Sequence, residues 1–102
     1  MPAAAYKVLT ARQFADWQES GTFTGAPVDL ADGFIHLSTA DQLQATLAKH
    51  FAGQTDLVIA AINLTQLGDA VRWEPSRGGA MFPHVYGALP INALISHDPR
   101  QP

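Results

Sequence analysis

Apolar and polar positions alternate in some stretches of this chain and recur every three or four residues in others, which divides it into strands and helices. Tyr6-Lys7-Val8-Leu9 reads as a strand after a loose N-terminal end. Thr10 and Gln13 fit a capping box, and the pattern over 11–20, with Phe14 and Trp17 three apart and Gly21 beyond, predicts a short amphipathic helix. Positions 21–32 hold Gly25, Pro27 and small residues without a period and read as a surface loop anchored by Phe23. Gly33-Phe34-Ile35-His36-Leu37-Ser38-Thr39 reads as a short interior strand, entered from an Asp32-Gly33 turn and followed by a second capping box, Thr39 with Gln42. Leu43, Leu47 and Phe51 recur every four residues and predict a helix over 40–51 with Gly53 as its C-cap.

The second half reads mostly as strands. Leu57-Val58-Ile59-Ala60-Ala61-Ile62 is apolar on both faces, as a covered central strand should be. Positions 65–70 read as a turn, and Val71-Arg72-Trp73-Glu74 as a short strand stopped by Pro75. After the Ser76-Arg77-Gly78-Gly79 turn, Phe82-Pro83-His84-Val85-Tyr86-Gly87 is expected at a sheet edge, because Pro83 has no amide hydrogen for a ladder. A last strand is expected over 91–96, and a disordered tail over 98–102. Two early helices and a run of strands are an α+β pattern.

Composition narrows the class. A chain of 102 residues is expected to be one domain spanning 1–102, with an ordered core over about 6–98. The formal charge of -3 with no basic run argues against a nonspecific grip on nucleic acid. The most apolar run, 57–64, is too short to span a bilayer as a helix, and no charged leader precedes it, so a cytoplasmic protein without membrane partners is expected. Zero cysteines exclude thiolate chemistry and disulfides. Only 15% of residues are charged and 47% are hydrophobic, which fits a monomer or a weak homodimer. No glycine spacing matches a phosphate loop or a dinucleotide fingerprint.

Three strands each devote one side to groups that bind or move protons: His36 with Ser38, Arg72 with Glu74, and His84 with Phe82 and Tyr86. Singly, each has an ordinary reading as a structural histidine, an exposed ion pair worth less than about 1 kcal/mol, or an edge-strand aromatic. Their recurrence on three strands points to one cleft. There Arg72 would receive a phosphate or carboxylate, with Arg77 closing over it. His36 and His84 would exchange protons, Glu74 would accept from a ribose hydroxyl or steady positive charge, Ser38 would orient the substrate, and Tyr86 or Trp73 would stack on a flat ring. Two histidines and a carboxylate are also metal-ligand types, but no close histidine pair supports a metal site, and none is assigned. Ser38 lacks the elbow motif of a serine nucleophile.

Together, Gly33-Phe34-Ile35-His36-Leu37-Ser38, His50-Phe51, Arg72-Trp73-Glu74-Pro75 and Phe82-Pro83-His84-Val85-Tyr86-Gly87 resemble the signature blocks of the small bacterial DUF952 family. The resemblance implies a fold similar to ADP-ribosyltransferases and to the NAD-consuming RNA 2'-phosphotransferase: a split sheet, mixed or antiparallel, whose cleft takes an NAD-like dinucleotide as substrate. It implies that His36 anchors the nicotinamide-side ribose or amide with help from Ser38, that Glu74 steadies the sugar cation, and that Tyr86 or His84 forms the stacking wall. The expected function is then ADP-ribosyl transfer or cleavage of the NAD glycosidic bond. The alternatives are noncatalytic binding of a nucleotide or phosphorylated metabolite, or a small protein-interaction module, so the sequence leaves open whether the protein is an enzyme.

Overall fold

A computed structural model describes residues 2–100, apart from the side chain of Arg77. The chain runs β1 (Ala4–Thr10), α1 (Ala11–Ser20), β2 (Thr22–Phe23), α2 (Pro27–Asp32), β3 (Ile35–His36), α3 (Leu43–His50), β4 (Leu57–Asn63), α4 (Leu64–Leu67), β5 (Val71–Ser76), β6 (Ala80–Val85), β7 (Leu89–Pro90) and β8 (Leu94–Arg100). It is an α+β fold in which the strands pair antiparallel, in the orders β1-β4-β8, β3-β6-β5 and β2-β7. The first two sheets meet at one bridge, where Tyr6 and Ser38 exchange backbone hydrogen bonds of 2.7 and 2.9 Å.

The alternation read in β1 and β4 has its physical counterpart on two faces. Leu9, Val58, Ala60 and Ile62 join Phe14, Trp17, Ile35, Val85 and Leu89 in the main core. Val8 and Leu57 turn the other way and pack with Leu47, Leu43 and Phe51 under α3. β4 is therefore the covered central strand, and the four-residue recurrence in α3 marks its buried stripe. The Thr10–Gln13 capping box is formed, and Gly21, at φ 84°, donates to Trp17 O and ends α1.

Several expectations are corrected. Positions 21–32 are not a loop but contain β2 and α2, so the N-terminal half has three helices rather than two. Pro27 starts α2 where no intrahelical amide is needed, Asp29 Oδ2 accepts from Ala26 N at 2.8 Å, and Gly33 at φ 88° closes it. Thr39 and Gln42 make their reciprocal bonds, but around a turn that precedes α3. Phe51, not Gly53, caps that helix. The turn expected at 65–70 is helical, made of α4 and a 3-10 turn. The final strand starts at Leu94 after a 3-10 turn and reaches Arg100, pairing with β4 through the stretch expected to be disordered; residues 101–102 lie outside the described residues.

Two prolines exchange roles. β6 is not an edge but lies between β3 and β5. Tyr86 N donates to Ala70 O on the β5 side, so by alternation the nitrogen of Pro83 faces β3. Leu37 N still donates to Pro83 O, and the return bond that the proline cannot make falls just past His36, where β3 ends. β5 continues through Pro75 to Ser76, because the same alternation turns the nitrogen of Pro75 to the open edge of the sheet. Among the described residues, no helix is long and apolar enough to cross a membrane.

Candidate functional site

Direct partners in an antiparallel ladder share a face, and His36 pairs with His84, His84 with Arg72, and Phe82 with Glu74. The groups expected from three separate strands therefore stand on one face of one sheet. The opposite face carries Ile35 and Val85 into the core, with Val71 and Trp73 packed against it, which removes Trp73 as a stacking wall.

His36 is held on two sides by α2. Its Nδ1 lies 2.6 Å from Asp29 Oδ1 and its Nε2 lies 2.9 Å from Asp32 Oδ2. A carboxylate oxygen only accepts, so both contacts are hydrogen bonds only when the ring carries both protons. Asp29 is buried and also accepts from His36 N at 3.1 Å, while Lys7 Nζ approaches its Oδ2 at 2.9 Å and donates to His36 O at 3.2 Å. Burial alone would raise the Asp29 carboxyl, but the His36 hydrogen bond and the Lys7 charge outweigh it and hold the group down to about 2. Burial pushes the Lys7 ammonium below the ordinary lysine range against the pull of Asp29. Neither Lys7 nor Asp29 is among the residues expected from the sequence, although a lysine on the inner face of an apolar strand and an acid two residues after Pro27 were available signals.

His84 is buried, and its Nδ1 lies 2.8 Å from Glu74 Oε1, which also accepts from Tyr86 OH at 2.8 Å. The hydrogen bonds from His84 and then Tyr86 hold the Glu74 carboxyl below its ordinary value, and the same bond to Glu74 pushes the Tyr86 phenol up. An ionised Glu74 fixes the proton on Nδ1 of His84. Phe34 binds this group together: its ring stacks on His84 at 4.1 Å and lies 4.7 Å from His36 and 5.3 Å from Tyr86. The imidazoles of His36 and His84 meet edge to face at 5.6 Å.

A half-open cavity of about 450 Å³ lies between this face, β1 and α3. His36, Ser38 and His84 line it with Tyr6, Thr46, Lys49 and His50. Ser38 is buried and shares a 2.7 Å hydrogen bond with Thr46. Glu74, Arg72 and Tyr86 are beside the cavity rather than in its lining. The Arg72 guanidinium lies over the Tyr86 ring at 4.9 Å. The side chain of Arg77 is outside the described residues. Lys49 and Thr46, on the cavity side of α3, were not anticipated, because only the apolar stripe of that helix stands out in the sequence. Among the described residues, no group of three or more acidic or histidine side chains is arranged to hold a metal ion.

A chain of CC0527 from Caulobacter crescentus, solved by crystallography, superposes with a TM-score of 0.91 at 44% identity, over 94% of this chain and 84% of that one. Its solution structure gives a TM-score of 0.87 at 42% identity, over 98% and 86%. No curated protein matches the chain. Residues 8–97 match the family model described as a protein of unknown function (DUF952), and the chain belongs to that family.

Proposed function

We propose that the cavity binds a small anion, a nucleotide or a phosphorylated metabolite. What carries this reading is the convergence of His36, His84 and Lys49 on one hollow from three elements, with the hydroxyl-bearing residues Tyr6, Ser38 and Thr46 around them. Asp32 also lines the cavity, with its Oδ2 2.9 Å from His36 Nε2, and Lys49 has no ion pair among the described residues. The volume lies in the lower half of the range usual for small-molecule sites, roughly 300 to 1,000 Å³.

Cleavage of NAD, the activity implied by the fold resemblance, needs a carboxylate facing the sugar as nicotinamide departs. Glu74 is the residue expected there, and its Oε1 is taken up by His84 and Tyr86 outside the lining. Binding is therefore the better supported reading, and the ADP-ribosyltransferase likeness remains a matter of resemblance. Calorimetry with inorganic phosphate and with a nucleoside monophosphate tests it. Binding weakened about fivefold by Lys49→Ala is expected, as for loss of one exposed charge contact. Absence of binding to either ligand would overturn it.

A further inference from the structure

We propose that the cavity is also a reaction site, in which a bound phosphodiester is hydrolysed with His84 as general base and His36 as general acid. The proposal rests on the anion-binding reading above and adds to it the fate of two protons.

The base comes from the Glu74–His84 pair. Glu74 accepts from Nδ1, so the neutral ring presents its lone pair at Nε2. That nitrogen has no hydrogen-bond partner among the described residues, on a ring that lines the cavity. The groups facing His84 are Glu74, His36 and the ring of Phe34, with Arg72 as its ladder partner on β5 and the Tyr86 hydroxyl on the same Glu74 oxygen. A carboxylate behind a histidine, fixing which nitrogen is free, is the arrangement that makes imidazole an oriented proton acceptor.

The acid comes from His36. Its Nε2 partner, Asp32, has a side chain 49% exposed and can yield to a ligand, whereas the Nδ1 partner, Asp29, is buried and fixed. The cavity thus holds one imidazole oriented to take a proton and another oriented to give one, with their rings 5.6 Å apart. Ser38 is engaged with Thr46, so water is the nucleophile. As water attacks phosphorus, a new P–O bond forms and His84 Nε2 takes the water proton. The P–O bond to the leaving alcohol breaks, and the alkoxide takes the proton from His36 Nε2. The products are a phosphomonoester and an alcohol, and exchange with solvent returns both rings to their starting states. A diester suits this site because its leaving alkoxide needs the acid and its single charge matches Lys49. Glu74 and Tyr86 are positioning residues that act through His84.

Bis(p-nitrophenyl) phosphate is the probe for turnover and inorganic phosphate the probe for binding. The wild-type protein should release nitrophenolate. His84→Ala should lower the rate by about 10²-fold or more, in the range general-base catalysis supplies, while phosphate still binds. Glu74→Gln should lower kcat with KM unchanged, and Glu74→Asp should recover part of the loss; these two variants carry the test if His84→Ala does not fold. Phosphate binding without diester turnover, or turnover indifferent to His84→Ala and Glu74→Gln, would overturn the reaction and leave the binding site standing. Loss of both phosphate binding and turnover in the wild-type protein would remove both readings.

Discussion

Lys7 and Asp29 form an ion pair of 2.9 Å at a place where their side chains are only 5% and 1% exposed. The carboxylate does more than neutralise the lysine, since it also takes the amides of Ala26 and His36 and the His36 ring. Asp29→Ala would strand a buried ammonium and several donors, and a loss of about 3–5 kcal/mol is expected in urea unfolding. Lys7→Met should cost less, because Asp29 keeps its other partners. A larger loss for Lys7→Met would contradict this ordering.

The same carboxyl makes the fold acid-sensitive. It titrates at about 2 in the folded protein against an ordinary value of 3.8. Since the folded form holds the group more acidic than the unfolded chain does, its contribution is fully present above about pH 4 and is lost as pH falls toward 2, roughly 2 kcal/mol in all. Unfolding free energies measured across that window should fall for the wild-type protein. The part due to this group should be missing from Asp29→Asn.

Tyr86 supplies an alkaline counterpart. Its phenol is raised by the hydrogen bond to Glu74, so it should ionise late in an ultraviolet titration. The late step should vanish in Tyr86→Phe and move to lower pH in Glu74→Gln. The folded value is the higher one, so this bond stabilises below the ordinary tyrosine value and its contribution fades as pH rises through the folded one. An unchanged titration in Glu74→Gln would show that the bond does not persist in solution.

Phe34 should matter more to the site than its position before a two-residue strand suggests. Its contacts with His84, His36 and Tyr86 are each worth about 0.5–1.5 kcal/mol beyond simple burial. Phe34→Ala is expected to lower stability by about 1–3 kcal/mol and to weaken phosphate binding. The ring protons of both histidines should shift in NMR spectra. Unmoved resonances would mean the rings are held without it.

The sequence made the facing of His36 with Ser38, Arg72 with Glu74, and His84 with Tyr86 legible, because the period of two is imposed by the extended backbone. It did not reveal which residues oppose which. The pairing of His36 with His84 depends on a long-range register that local pattern does not contain. α2 was hidden by its shortness, since six residues hold too few turns for a visible apolar period, and only Pro27, Asp29 and Gly33 mark it. Pro83 misled for a clear reason: the rule against proline in an inner strand assumes that a lost bond falls within the ladder, and here it falls just past His36, at the end of β3.

Pro75 turns its nitrogen toward the unpaired side of β5, leaving a gap in the donor row that any incoming strand would have to match. A second copy of the chain therefore cannot extend this sheet through β5 with an unbroken ladder. The donor missing at Pro75 is fixed by covalent structure, so that border offers an incoming strand one hydrogen bond fewer at any protein concentration.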